Sequence, residues 1–276
     1  MTTDPGDDPR TQHDAGDELA FEHLDVDVRE AVAFVRLDRP DVRNALHAEL
    51  LLELGAALDL VQADASVRAL VLHGAGDGFC AGADVSGFAE MDDPFAGRET
   101  ALAGQDVANT LAALPLPTVA ALHGFAIGGG LELALACDLR VAAPGTRLGL
   151  PETTLGLIPG YGGTQRLPRL IGEARALDLI LTGRLIDADE AFTFGLVSRL
   201  ADDPLEAAEA LARTTLNNAP VALGLAKEAV VRGLDATLPQ GLEIEADLFG
   251  LVAGTEDRAE GVRAFLEKRK PEYSGR

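Results

Sequence analysis

Positive charge is scarce in this 276-residue chain: 23 lysines and arginines stand against 45 aspartates and glutamates, a net charge of -22. Such a surplus repels phosphate backbones and anionic membranes, which argues against nucleic acid and membrane surfaces as partners. Lysine is nearly missing, with Lys227, Lys268 and Lys270 beside 20 arginines. That balance resembles proteins from salt-adapted organisms, or else an acidic proteome that prefers arginine. Cysteine is equally rare. Cys80 and Cys137 lie 57 positions apart without C-x-x-C or metal-finger spacing, so neither a disulfide framework nor a zinc site is expected. Both thiols read as reduced and cytoplasmic. Long apolar runs are also lacking. Residues 119–137 contain His123, Glu132 and four glycines, which reads as strand, turn and helix rather than a membrane span. Residues 1–18 have no basic start or apolar stretch of the kind a secretory signal needs, and read as a disordered acidic tail.

What is present is 47% hydrophobic residues, enough to bury a full core. Residues 21–28 and 32–37 are β-rich runs around Arg29-Glu30-Ala31, which predicts an opening hairpin stopped by Arg39-Pro40. Leu50, Leu51, Leu54 and Leu58 recur at helical spacing within 45–61, with Asn44 at the N-cap position. Strands at 69–73 and 118–122 each run into glycine-rich turns, and 139–142 follows a helix that begins near Gly130. Strand, helix and strand in this order predict a largely parallel sheet. From Asp187 the pattern is helical apart from 196–200, with Pro204 and Pro220 at helix starts and Gly233 and Gly254 at helix ends. The organisation is an α/β core over 19–200 and a C-terminal helical segment over 201–276. The latter is too amphipathic to stand alone and predicts a homo-oligomer.

Three segments carry candidate chemistry. Gly128-Gly129-Gly130-Leu131-Glu132 follows a strand and opens a helix, so unpaired N–H groups can face an anion there. Read alone, it is equally a tight turn with an acid in the first helical turn. Phe79-Cys80-Ala81-Gly82-Ala83-Asp84 follows another strand and offers a second N–H, that of Ala83, or a turn in which Asp84 caps a short helix. Leu150-Pro151-Glu152 opens a run that continues through Gly160-Tyr161-Gly162-Gly163-Thr164-Gln165-Arg166. Glu152 is either a solvated helix-start residue or the partner of Glu132, which lies 20 positions earlier and cannot share its helix. A dinucleotide fingerprint, Gly-x-Gly-x-x-Gly, is absent.

In this order the segments resemble the signature of the crotonase superfamily, and most of all its enoyl-CoA hydratases. The similarity runs from about residue 19 to residue 273. It includes Leu37-Asp38-Arg39-Pro40, Asn44-Ala45-Leu46, Glu256-Asp257-Arg258 and Phe265-Leu266-Glu267-Lys268-Arg269. The resemblance implies an α/β fold with a ββα spiral core and a C-terminal helical segment that packs in the oligomer, a trimer or dimer of trimers. It implies that the N–H groups of Ala83 and Gly129 hold the thioester oxygen of an acyl-CoA, with Glu132 and Glu152 as the catalytic pair that adds water to a trans-2-enoyl-CoA. Glu132 is assigned to deprotonate the water and Glu152 to deliver a proton to C2, with swapped or shared roles left open.

CoA enters as part of the substrate, and no metal or redox cofactor is implied. By the same resemblance Ala81 lies where the adenine end passes, and Phe249 and Lys268 match residues that contact CoA from a neighbouring subunit. Arg43 is a phosphate candidate or an exposed helix-start arginine. One departure is Ser86, where some hydratases place a CoA-binding lysine. Residues 86–105 correspond to the variable region over the acyl chain, where Phe88, Met91 and Phe95 line a pocket or simply pack. Relatives that move a double bond often keep one carboxylate only. An enoyl-CoA isomerase or another crotonase-type acyl-CoA lyase, and after them a non-catalytic acyl-CoA-binding scaffold, are therefore the alternatives.

Overall fold

Alternate side chains of a strand point to opposite faces, and in the centre of this sheet both faces are buried. The computed structural model describes residues 21–88 and 93–276. The acidic tail expected at 1–18, Met91 and the side chain of Phe88 lie outside the described residues. Strands β1 (Leu24–Arg29) and β2 (Val32–Leu37) form the expected hairpin, turning at Glu30 and Ala31 with φ of 46° and 69°. Two left-handed residues in a two-residue turn match the twist of the strands they join. After helix α1 (Ala48–Ala63), β3 (Ala69–Gly74) pairs in parallel with β2. Helix α2 (Pro94–Ala113) leads to β4 (Thr118–Leu122), parallel to β3.

From β2, β3 and β4, residues such as Val35, Leu70 and Leu122 enter the main core under α1 and α2. Their neighbours Phe34, Val71 and Ala121 enter a second core on the other face. Two-sided burial explains why these runs are continuously apolar rather than alternating.

Beyond β4 the chain makes a short strand, β5 (Phe125–Ile127), then helix α3 (Gly129–Ala136) and β6 (Leu139–Ala142), which returns beside β4. Strand β5 stands outside the main sheet. It pairs in parallel with β7 (Arg147–Gly149), aligning Ile127 with Gly149. Helices α4 (Gly163–Ile171), α5 (Glu173–Thr182) and α6 (Ala188–Phe194) precede β8 (Arg199–Leu200). The main sheet has the order β1-β2-β3-β4-β6-β8, parallel except at β1 and β2.

Helix α7 (Pro204–Thr215) closes the second core through Ala208, Leu211 and Ala212. Helices α8 (Pro220–Leu234) and α9 (Leu238–Ala253) then pack on each other, and α10 (Glu256–Glu267) ends the helical segment. Val230, Leu234, Leu238, Phe249 and Phe265 are exposed on these last helices. Gly254 caps α9 as expected, whereas α8 runs one residue past Gly233 and is capped by Asp235. Among the described residues no helix is long and apolar enough to cross a membrane.

Asn44 corrects the sequence reading. Helix α1 starts later, with His47 at its N-cap, while Asn44 is fully buried at φ 56°. Asparagine tolerates this left-handed geometry. Its side-chain oxygen accepts from Arg39 N at 2.9 Å, and its amide nitrogen donates to the carbonyls of Ala75, Gly78 and Phe79 at 2.9, 3.0 and 3.0 Å. The residue thus ties the turn after β2 to the glycine loop after β3. Asn44→Ala leaves those carbonyls buried without their donor, an expected loss of about 2–3 kcal/mol. A urea midpoint lowered at constant slope checks this, and an unchanged midpoint contradicts it.

Candidate active site

Strand β5 decides which groups meet. On one side Cys80 bridges to Ala126, with Cys80 N donating to Phe125 O at 3.2 Å and Ile127 N donating to Cys80 O at 3.0 Å. On the other side lies β7, and Gly128 N donates to Gly149 O at 2.9 Å. Because β5 and β7 run in the same direction, the chain leaves both at the same level. Glu132, one turn into α3, and Glu152, at the start of a 3-10 turn (Glu152–Leu155), therefore reach one cleft despite their sequence separation.

Gly82 lets the third segment close on them. At its φ of 107° a Cβ would lie 2.9 Å from Ile127 O and 3.4 Å from Gly129 N. The result is that Ala81, Ala83, Gly129, Glu132 and Glu152 all line the same cleft of about 1510 Å³. Gly129 N–H begins α3 and has no acceptor within the helix. Among the described residues neither it nor Ala83 N–H donates to another main-chain group.

The two carboxylates differ in their surroundings. Glu132 is 2% exposed, and one of its oxygens, Oε1, accepts from Tyr161 N at 2.9 Å and Gly163 N at 2.6 Å. Burial pushes its pKa up to about 7, and the charge of Glu152 adds to the rise, against the opposing pull of the two N–H groups and Arg166. Glu152 is also raised by burial, and its Oε2 is buried without a hydrogen-bond partner. One carboxylate is thus held by donors that favour its ionised form. The other has an oxygen without any. A pair set up in this way can take a proton at one position and give one at another, beside two N–H groups able to bind a developing oxyanion.

Other expected residues lie apart. Arg43 is exposed in the turn before α1 and does not line the cleft, although its carbonyl accepts from Ala81 N at 3.0 Å. Phe249 is 74% exposed on α9 and Lys268 is the C-cap of α10; neither lines this chain's own cleft. Phe95 is also exposed and outside the cleft. The hydroxyl of Ser86 donates to Asp84 Oδ1 at 2.7 Å, at the start of a one-turn 3-10 helix (Val85–Phe88). Cys80 and Cys137 are buried, with both thiols pushed up to about 12 by burial.

The sequence reading missed Tyr161, Gly163 and Arg166 as parts of the site. Its one usable signal was a glycine pair opening a helix, since Gly163 is the first residue of α4 and a helix start favours a carboxylate.

The raised carboxyl groups carry a stability cost with a definite sign. Between the ordinary value of 4.5 and about 7 the folded chain binds more protons at Glu132 than the unfolded chain does, so stability falls as pH rises through that window. Glu132→Gln is expected to melt above wild type at about pH 8 and by a smaller margin at about pH 5. A Gln variant that melts lower at the higher pH contradicts the burial cost.

The sequence pattern of the enoyl-CoA hydratase/isomerase family matches residues 27–276. The chain is 40% identical to the crotonyl-CoA hydratase of Syntrophomonas wolfei subsp. wolfei, over 92% of this chain and 99% of that one. It is 41% identical to the short-chain-enoyl-CoA hydratase of Clostridium acetobutylicum, over 87% and 93%. The crystal structure of an enoyl-CoA hydratase from Bacillus anthracis superposes with a TM-score of 0.88 at 43% identity, covering 92% of this chain and 100% of that one. Sequence, fold and the convergence of two glutamates on one glycine-lined cleft agree: this chain belongs to the enoyl-CoA hydratase/isomerase family.

Proposed function

We propose that the chain catalyses the reversible syn addition of water to trans-2-enoyl-CoA, giving 3-hydroxyacyl-CoA. The observation that carries this reading is the meeting of Glu132 and Glu152 in the cleft that Ala83 and Gly129 also line. With the thioester oxygen between Ala83 N–H and Gly129 N–H, water attacks C3 and the C2–C3 electron pair moves toward that oxygen as an enolate. Glu132 takes the proton lost by the water. Glu152 gives its proton to C2, the enolate collapses to the thioester, and the water-derived proton left on Glu132 restores the pair through solvent. The two N–H donors work against the burial that raises Glu132, which suits it to the role of base, and the unpartnered oxygen of Glu152 suits it to that of acid. Charge develops on the thioester oxygen only as the reaction proceeds, which is where fixed donors contribute most. Atoms and charges balance without a metal or redox group, and CoA comes and goes with the substrate.

CoA is a polyanion, and the cleft of a single chain has little basic charge to spare for it. Among the described residues its four basic side chains are already engaged. Lys227 pairs with Asp138 at 3.0 Å and Arg169 with Asp235 at 3.5 Å. Arg140 donates to main-chain carbonyls, and Arg166 to Tyr161 O and Asn109. The phosphates then need cations from elsewhere. Lys268 of a neighbouring subunit, together with Arg43 at the turn beside Ala81, supplies them in this proposal, while Phe249 of that subunit contributes an apolar contact to CoA. The exposed apolar residues of α8 to α10 support a homo-oligomer, a trimer or a dimer of trimers, that brings the neighbour into place. Two free buried thiols support a reducing, cytoplasmic setting.

Mixing the protein with a short 2-enoyl-CoA is expected to lower the conjugated-enoyl absorbance to an equilibrium value; a signal unchanged across chain lengths and salt concentrations contradicts hydration. Glu132→Gln and Glu152→Gln are each expected to lower turnover by about 10² to 10⁴ with folding retained. Full activity in either variant removes that residue's role. Lys268→Ala is expected to raise KM several-fold with little change in kcat, and an unchanged KM rules out its phosphate contact.

A further inference from the structure

The loop that grips Glu132 is itself held by a side chain to which the reaction assigns no part. Tyr161 N and Gly163 N both donate to Glu132 Oε1, so the position of this oxygen depends on the turn at 161–163. That turn is open at its centre, where Gly162 has a φ of 110°. The hollow is filled by the guanidinium of Arg166, and a Cβ on Gly162 would collide with Arg166 Nη1. From there Nη1 donates to Tyr161 O at 3.1 Å and Nη2 to Asn109 Oδ1 at 2.6 Å. One turn earlier on α2, Gln105 Nε2 donates to Gly160 O at 2.8 Å. Helix α2 therefore braces the leading end of the gripping turn at two successive carbonyls, those of Gly160 and Tyr161, and Arg166 is the charged group in the brace.

We propose that Arg166, braced by Asn109, is a positioning residue that holds the turn at 161–163, and with it the two N–H donors, against Glu132. This rests on the hydratase reading for its kinetic consequence but not for its geometry. Around Glu132, α4 supplies Arg166 as a cation, the 3-10 turn supplies Glu152 as an opposing anion, and Tyr161 faces it from the loop. Neither α2 nor β5 brings a charge that acts on it. Removing the guanidinium takes away the one positive charge and loosens two main-chain donors together. A lysine keeps the charge but lacks the second, planar donor arm.

The test uses the full-length oligomer with Arg166→Gln, Arg166→Lys and Asn109→Ala. Glu132 titration is read by 13C NMR of glutamate carboxyl carbons, assigned with Glu132→Gln, alongside the pH profile of kcat/KM on a short 2-enoyl-CoA. In Arg166→Gln the Glu132 titration and the acidic limb of the profile are expected to move up together, by on the order of one pH unit. Its kcat falls at least tenfold with KM nearly unchanged. Arg166→Lys keeps the limb near wild type with a reduced kcat, and Asn109→Ala lowers kcat by a few-fold.

A titration unmoved in Arg166→Gln, or moved equally in the Lys variant, overturns the proposal. If Arg166→Gln does not fold, wild-type titration and kcat in Asn109→Ala overturn it. A wild type that hydrates nothing, with the titration shift still present in Arg166→Gln, defeats the hydratase reading and leaves the positioning role standing.

Discussion

The site depends on the three-residue strand Phe125–Ile127 being paired on both sides at once. Cys80 on one side and Arg147–Gly149 on the other fix three chain segments at one level. The last residues of these segments carry everything the proposed chemistry uses: one N–H from Ala83, one from Gly129, and the carboxyl groups of Glu132 and Glu152. Main-chain hydrogen bonds set this arrangement. Its accuracy therefore rests on backbone pairing and on the absence of a side chain at Gly82, where a Cβ would press against Ile127 O. Asn44 extends the same logic outward by anchoring the loop that delivers Cys80.

Within this frame the chain keeps two carboxylates in a place where neither is comfortable. Burial raises both, and the charge of Glu152 makes the ionisation of Glu132 harder still. Stability is lost so that protons can be exchanged near neutral pH. The asymmetry between them comes from donors rather than from the acids themselves, since only Glu132 is gripped by a helix start and a neighbouring N–H. Two residues of the same kind thereby acquire different surroundings, which suits the proposed addition of a hydroxyl to one carbon and a proton to the next. The same economy of charge governs the cleft as a whole. Its cations are bound to partners inside the chain, which is why the proposed binding of a polyanionic substrate draws on basic groups from outside the cleft.

Much of the frame was legible in the sequence. The central strands bury both faces and so appear as continuous apolar runs, and the glycines before α3 announce a helix start with an acid one turn in. The hairpin at Glu30 and Ala31 was equally plain. What stayed hidden were features with no periodic signal. Strands β5 and β7 are three residues each, too short to show alternation, yet they decide that Glu132 and Glu152 meet. Asn44 looked like a helix cap because caps and left-handed turns favour the same residue, and only the contacts across 34 and 35 positions reveal its work. Tyr161 and Gly163 act through main-chain N–H groups, which leave no mark in residue type. Arg166 was visible as a residue but not as the filler of the hollow left by Gly162.

The central claim is that one thioester oxygen can sit between Ala83 N and Gly129 N with a carboxyl group on each of the two neighbouring carbons. A crystal structure of the full-length protein with a non-hydratable acyl-CoA analogue measures this most directly. The account predicts that oxygen at about 3 Å from both amide nitrogens, with Glu132 facing C3 and Glu152 facing C2. An oxygen touching only one of the two amides, or a C2–C3 bond lying away from either carboxyl group, contradicts it.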